Sequence, residues 1–112
     1  MASDQANDIA AALDRLWERF LPEIRTRVAI LEAAAQALEN GELVTAQREE
    51  AASAAHKLAG TLGTFGLARG TAVARELEQQ FASGAGPSAE SAARSATELR
   101  ELIERRSSST AN

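Results

Sequence analysis

Ile9, Leu13, Leu16 and Phe20 recur at spacings of four, three and four, with Trp17 and Leu21 widening the apolar stripe. That period predicts a first helix over about residues 6–20, with Asp4 or Asn7 placed to cap it. Pro22 then interrupts the pattern. Proline suits the first turn of a helix and disrupts its interior, so a second helix is expected to begin near Pro22, bent off the first. Its stripe of Ile24, Val28, Leu31, Ala35 and Leu38 is the most regular in the chain and should end at Asn40 and Gly41, which tolerate the left-handed closing conformation. A third helix is predicted from Leu43 or Thr45, with Thr45 a candidate cap, to Thr64 or Phe65, and Gly66 is its stop. A fourth carries Val73, Ala74, Leu77 and Phe81 inward and Arg69, Arg75, Glu76 and Gln79 outward.

The run SGAGPS, Ser83 to Ser88, predicts a turn. The last helix, about Pro87 to Arg106, should bury Ala92, Ala96, Leu99 and Ile103, with Arg105 and Arg106 complementing its dipole. Residues 1–6 are expected to be a flexible N-terminus and residues 107–112, SSSTAN, a disordered tail or linker. The expected fold over residues 7–106 is all-α: an antiparallel up-and-down four-helix bundle with an additional N-terminal helix.

Composition narrows the function classes. Of the 112 residues 26 are alanine and 23 are Leu, Ile, Val, Phe or Trp, a mixture that suits closely approached helices and not a sheet. A net charge of −4 with interspersed signs offers no basic surface for nucleic acid. No run is long and apolar enough for a membrane span, the N-terminus lacks signal-peptide regions, and a cytoplasmic monomer is expected. With no cysteine and one histidine, neither a disulfide framework nor an ordinary metal site is expected.

The one histidine draws the chemistry. On a helical wheel of about 100° per residue, with Ala55 at zero, Ala51, Leu58, Leu62 and Phe65 cluster on one side. His56 falls near +100°, with Ala59, Gly63 and Gly60 between about +40° and +140°. The imidazole is thus expected outside the core, beside residues with little or no side chain. A surface histidine without a role is the plain alternative. Two helix-interior glycines, each costing roughly 1 kcal/mol against alanine, argue for access by a large partner. A Ser/His/Asp or Cys/His hydrolase finds no pocket or oxyanion hole in so small a bundle. A neutral imidazole can instead act as a nucleophile that becomes transiently phosphorylated. That role asks for an exposed ring, small neighbours and a nearby cation, and Lys57 is adjacent in sequence.

Residues 55–78, AHKLAGTLGTFGLARGTAVARELE, resemble the signature of histidine-containing phosphotransfer (HPt) domains of multistep two-component signalling. The matching positions are His56, Leu58, Gly60, Gly63, Gly66 and the pair Leu77 and Glu78. The resemblance implies that His56 is the phosphoacceptor in a relay between receiver-domain aspartates. Partners would be response-regulator receiver domains or a hybrid histidine kinase. It further implies that the chain is a carrier and not an enzyme, with no cofactor of its own and Mg²⁺ on the partner receiver. Docking would use Ala59, Gly60, Gly63 and Thr64.

Two positions depart from the family pattern. A common lysine three residues after the histidine is Ala59, so Lys57 or Arg69 would support the phosphoryl group, or the partner would. A common leucine is Gly70, which lets the next helix approach closely or begin late. A helical interaction module without phosphoryl chemistry, or the HPt-like domain of a chemotaxis-type kinase, are the competing readings. A histidine-kinase dimerisation segment fits poorly, because Lys57 follows the histidine and no proline comes after it before Pro87.

Overall fold

The computed structural model describes residues 2–84 and 86–111; Met1, Asn112 and Ala85, the last inside the predicted turn, lie outside the described residues. Among the described residues four helices follow one another: α1 (Ala2–Glu39), α2 (Thr45–Thr64), α3 (Ala68–Ala82) and α4 (Ala89–Ala111). Connections this short make sequence neighbours antiparallel. Each helix packs on two others, α1 on α2 and α4 and α3 on the same pair, closing a four-helix ring. Trp17, Ile24, Val28 and Leu31 of α1 meet Leu58 and Leu62 of α2, Leu77 and Phe81 of α3, and Leu99 and Ile103 of α4 in a single core. The stripes predicted for the second to fifth helices all lie on this core.

The expected break at Pro22 is absent: the predicted first and second helices are one helix, with Pro22 in its interior. An interior proline costs about 3 kcal/mol because it removes one backbone hydrogen bond and crowds the preceding turn. Two features offset that. Pro22 and Glu18 are both exposed, so water can take the carbonyl left unpaired. Trp17 before the proline and Ile24 and Val28 after it are all fully buried in the same core, which holds the two halves in line. Asp4 and Asn7 therefore lie within a helix and not at its cap.

The first stripe is also reassigned. Trp17, read as a flank, has no exposed surface, whereas Ile9 is 62% exposed and Leu16 and Phe20 nearly 40%. The cause is helix length. At about 1.5 Å per residue, 38 residues span about 57 Å, matching the 56 Å long axis of the molecule. The 20-residue α2 ends near Trp17, where Phe65 meets that indole edge-on at 5.2 Å and Phe20 at 6.5 Å. N-terminal to this level α1 has only α4 for company.

That company also orders the C-terminal end of α4. Residues 107–111 are the last turns of α4 and not a tail. The Trp17 Nε1–H donates to Ser107 Oγ at 3.0 Å, and Ser107 in turn donates to the Ile103 carbonyl at 2.8 Å. Arg106 lies over the indole at 5.2 Å and bonds Asp14 at 2.9 Å.

Caps set the remaining boundaries. Gly41 and Gly66 have φ of 70° and 73°. At each, the amide of the glycine and that of the next residue return to carbonyls of the last turn: Gly41 to Leu38 and Glu42 to Ala37, Gly66 to Gly63 and Leu67 to Leu62. Thr45 is the first helical residue and not the cap, a position taken by Val44 without a side-chain bond. Helix α4 starts at Ala89, two residues later than Pro87, because Ser88 Oγ accepts from the Ser91 amide at 3.1 Å.

Candidate functional site

Helix α2 is divided lengthwise. Ala51, Ala54, Ala55, Leu58, Ala59 and Leu62 are buried, and His56, Lys57, Gly60, Gly63 and Thr64 are exposed. His56 presents 73% of its side chain to solvent. Its Nδ1 lies 2.8 Å from Oε2 of Glu78 on α3. A carboxylate oxygen accepts here from an Nδ1–H, and in the neutral ring with that proton on Nδ1 the lone pair is on Nε2. The contact thus fixes the tautomer and the ring orientation together.

The surface beside the ring is bare for no internal reason. A Cβ placed on Gly60 would meet nothing within 4 Å, and one on Gly63 would make ordinary contact with Thr71 Oγ1 at 3.6 Å. Gly70 contrasts with both: it is buried, and a Cβ there would sit 2.9 Å from Leu62 Cδ1. The substitution at this position brings α3 close to α2 and does not delay its start.

The other nominated residues are dispersed. Ala59 is only 4% exposed and takes part in the core, with its carbonyl 3.5 Å from the Thr71 hydroxyl, so it is not on the open face. Thr64 is exposed and its hydroxyl donates to the Gly60 carbonyl at 3.1 Å. Lys57 points around the helix into a groove of about 480 Å³ between α1 and α2, lined also by Pro22, Thr26 and Ile30.

Arg69 spans to α4, where Nε and Nη2 bond Glu98 at 2.5 and 2.9 Å. The bidentate hydrogen bond raises the Arg69 pKa and lowers that of Glu98. Both charges are thereby engaged at the α3–α4 seam. The structure brings His56, Gly60 and Gly63 together, adds Glu78, and leaves Ala59 and Arg69 apart from them. The pairing of Glu78 with the ring went unread, although its signal is local: Leu77 faces the core, so the next residue is turned about 100° toward a rim of the helix.

The Hpt domain family model matches residues 15–109. Protein RcaC of Microchaete diplosiphon is 38% identical over 76 residues, which cover 68% of this chain. The matched stretch spans 12% of that relative's length. No solved structure matches the chain significantly.

Proposed function

Because the chain belongs to the Hpt domain family, whose members are phosphocarriers in two-component signalling, we propose that His56 relays a phosphoryl group between aspartates of two receiver domains. The observation that carries this reading is the exposed imidazole held by Glu78 above a face cleared by Gly60 and Gly63. The Nε2 lone pair attacks the phosphorus of an aspartyl phosphate. The N–P bond forms as the bond from phosphorus to the carboxyl oxygen breaks, and the aspartate leaves as a carboxylate. The Nδ1 proton stays in place, so the ring becomes positive as Nε2 gives up its pair, and the Glu78 carboxylate at 2.8 Å stabilises that charge. The reverse step hands the group to a second receiver.

The charge that develops on the transferred oxygens falls to the receiver and its Mg²⁺ in this scheme. This chain supplies a nucleophile of fixed tautomer and a flat approach. Incubation with a phosphorylated receiver should place acid-labile label on the wild-type chain and none on His56→Gln. Label that persists in the variant, or its absence from the wild type with every cognate receiver, rejects the relay. Glu78→Ala should still accept label, at a rate lower by about tenfold, the scale of a charge-assisted hydrogen bond.

A further inference from the structure

This inference rests on the phosphocarrier reading of His56 and concerns what faces the phosphoryl group once it is there. A phosphoryl group brings between one and two negative charges near neutral pH, and Glu78, 2.8 Å from the other ring nitrogen, adds one more. Of the two cations nominated from sequence, Lys57 lies in the α1–α2 groove and Arg69 is held by Glu98.

The register of α3 against α2 places a different one. Glu78 is fixed opposite His56 by the 2.8 Å contact, and Thr71 is fixed opposite Ala59 and Gly63, its hydroxyl 3.5 Å from the Ala59 carbonyl. Arg75 stands four residues after Thr71 and three before Glu78, the spacing that puts all three on one side of a helix. The two helices run antiparallel. Three residues back along α3 from Glu78, about 4.5 Å, therefore lead from His56 toward Gly60. Arg75 rises from the α3 rim beside the surface that Gly60 leaves open.

Its charge is available. Arg75 is exposed and makes no side-chain hydrogen bond or ion pair among the described residues. Neighbouring carboxylates have other partners: Glu78 is on His56, and Glu76 accepts from Gln80 at 3.4 Å. We propose that Arg75 reaches across the Gly60 surface to the phosphoryl oxygens of phosphorylated His56. It supplies from α3 the cation that Ala59 lacks on α2. Glu78 then balances the ring and Arg75 balances the oxygens. A side chain at position 60 would stand in the path of the guanidinium.

The test phosphorylates the full chain with phosphoramidate, a small donor that needs no docking surface, alongside a phosphorylated receiver. Arg75→Ala should lose about fivefold in the rate of labelling by both donors, the scale of one exposed charge contact. Arg75→Glu should lose more, and Arg75→Lys should recover most of the rate. The deficit should shrink between about 0.05 and about 0.5 M salt, with thermal stability unchanged throughout. Wild-type rates in Arg75→Ala and Arg75→Glu overturn the proposal. So does a defect seen with the receiver alone, which would make Arg75 a docking residue. If the wild-type chain takes no label on His56 from either donor, the phosphocarrier reading itself fails.

Discussion

Three glycines of the α2–α3 pair divide into two kinds, and the division is made by what a Cβ would touch. At Gly60 it would touch nothing of the protein, so the glycine costs helix stability without an internal return. Gly60→Ala should therefore raise the free energy of unfolding by roughly 0.5–1 kcal/mol, read by urea denaturation. Gly60→Arg should keep full helicity by circular dichroism and block transfer from a receiver. A Gly60→Ala that destabilises would mean that the bare surface serves folding and not approach. At Gly70 the opposite holds, because the Leu62 methyl lies 2.9 Å from the added carbon and both residues are buried. Gly70→Ala should forfeit the gain expected at Gly60, because overpacking of about 1–3 kcal/mol is set against it in the same measurement.

The helices themselves were legible wherever a stripe met a partner of matching length. Val73, Ala74, Leu77 and Phe81, and Ala92, Ala96, Leu99 and Ile103, are buried as their period predicts. The period of Ile9, Leu13, Leu16 and Phe20 is as regular, yet a stripe does not state how far its neighbour extends, and α2 stops at Thr64. The same ignorance of length turned the serines after Arg106 into a tail. Ser107 is helical because α1 is there to meet it, through a bond joining residues 90 apart. Since Trp17 is fully buried, Ser107→Ala should strand its indole N–H and cost about 1–3 kcal/mol, whereas exposed Ser108→Ala should be neutral. Thermal melts of the two variants separate a structural Ser107 from a disordered one. At the site, His56 and its glycines share one helix and were readable from one wheel. Arg69 was not, because its carboxylate, Glu98, lies on another helix 29 residues away.

At the scale of the whole molecule, ion pairs are concentrated where α4 closes the ring. Arg25 holds Glu104, Arg100 holds Glu32 and Arg106 holds Asp14 along the α1–α4 seam, and Arg69 holds Glu98 between α3 and α4. The hydrogen bonds from Arg69 and Arg25 hold Glu98 and Glu104 below the ordinary glutamate range. A carboxylate whose folded pKa is depressed contributes stability that is fully present above its unfolded value, about 4.3, and is lost as pH falls through the folded value. The melting temperature should accordingly hold level with respect to these groups from neutrality to about pH 5 and decline below about pH 4.3. The Arg69–Glu98 and Arg25–Glu104 pairs are both exposed, so the decline should be shallow and should weaken in high salt. A double variant, Glu98→Gln with Glu104→Gln, removes both titrating groups. Its melting temperature should be lower than wild type at pH 7, and the gap should narrow as pH falls below about 4.3. A constant gap between the two across that range would mean that the carboxylates act through packing and not through charge.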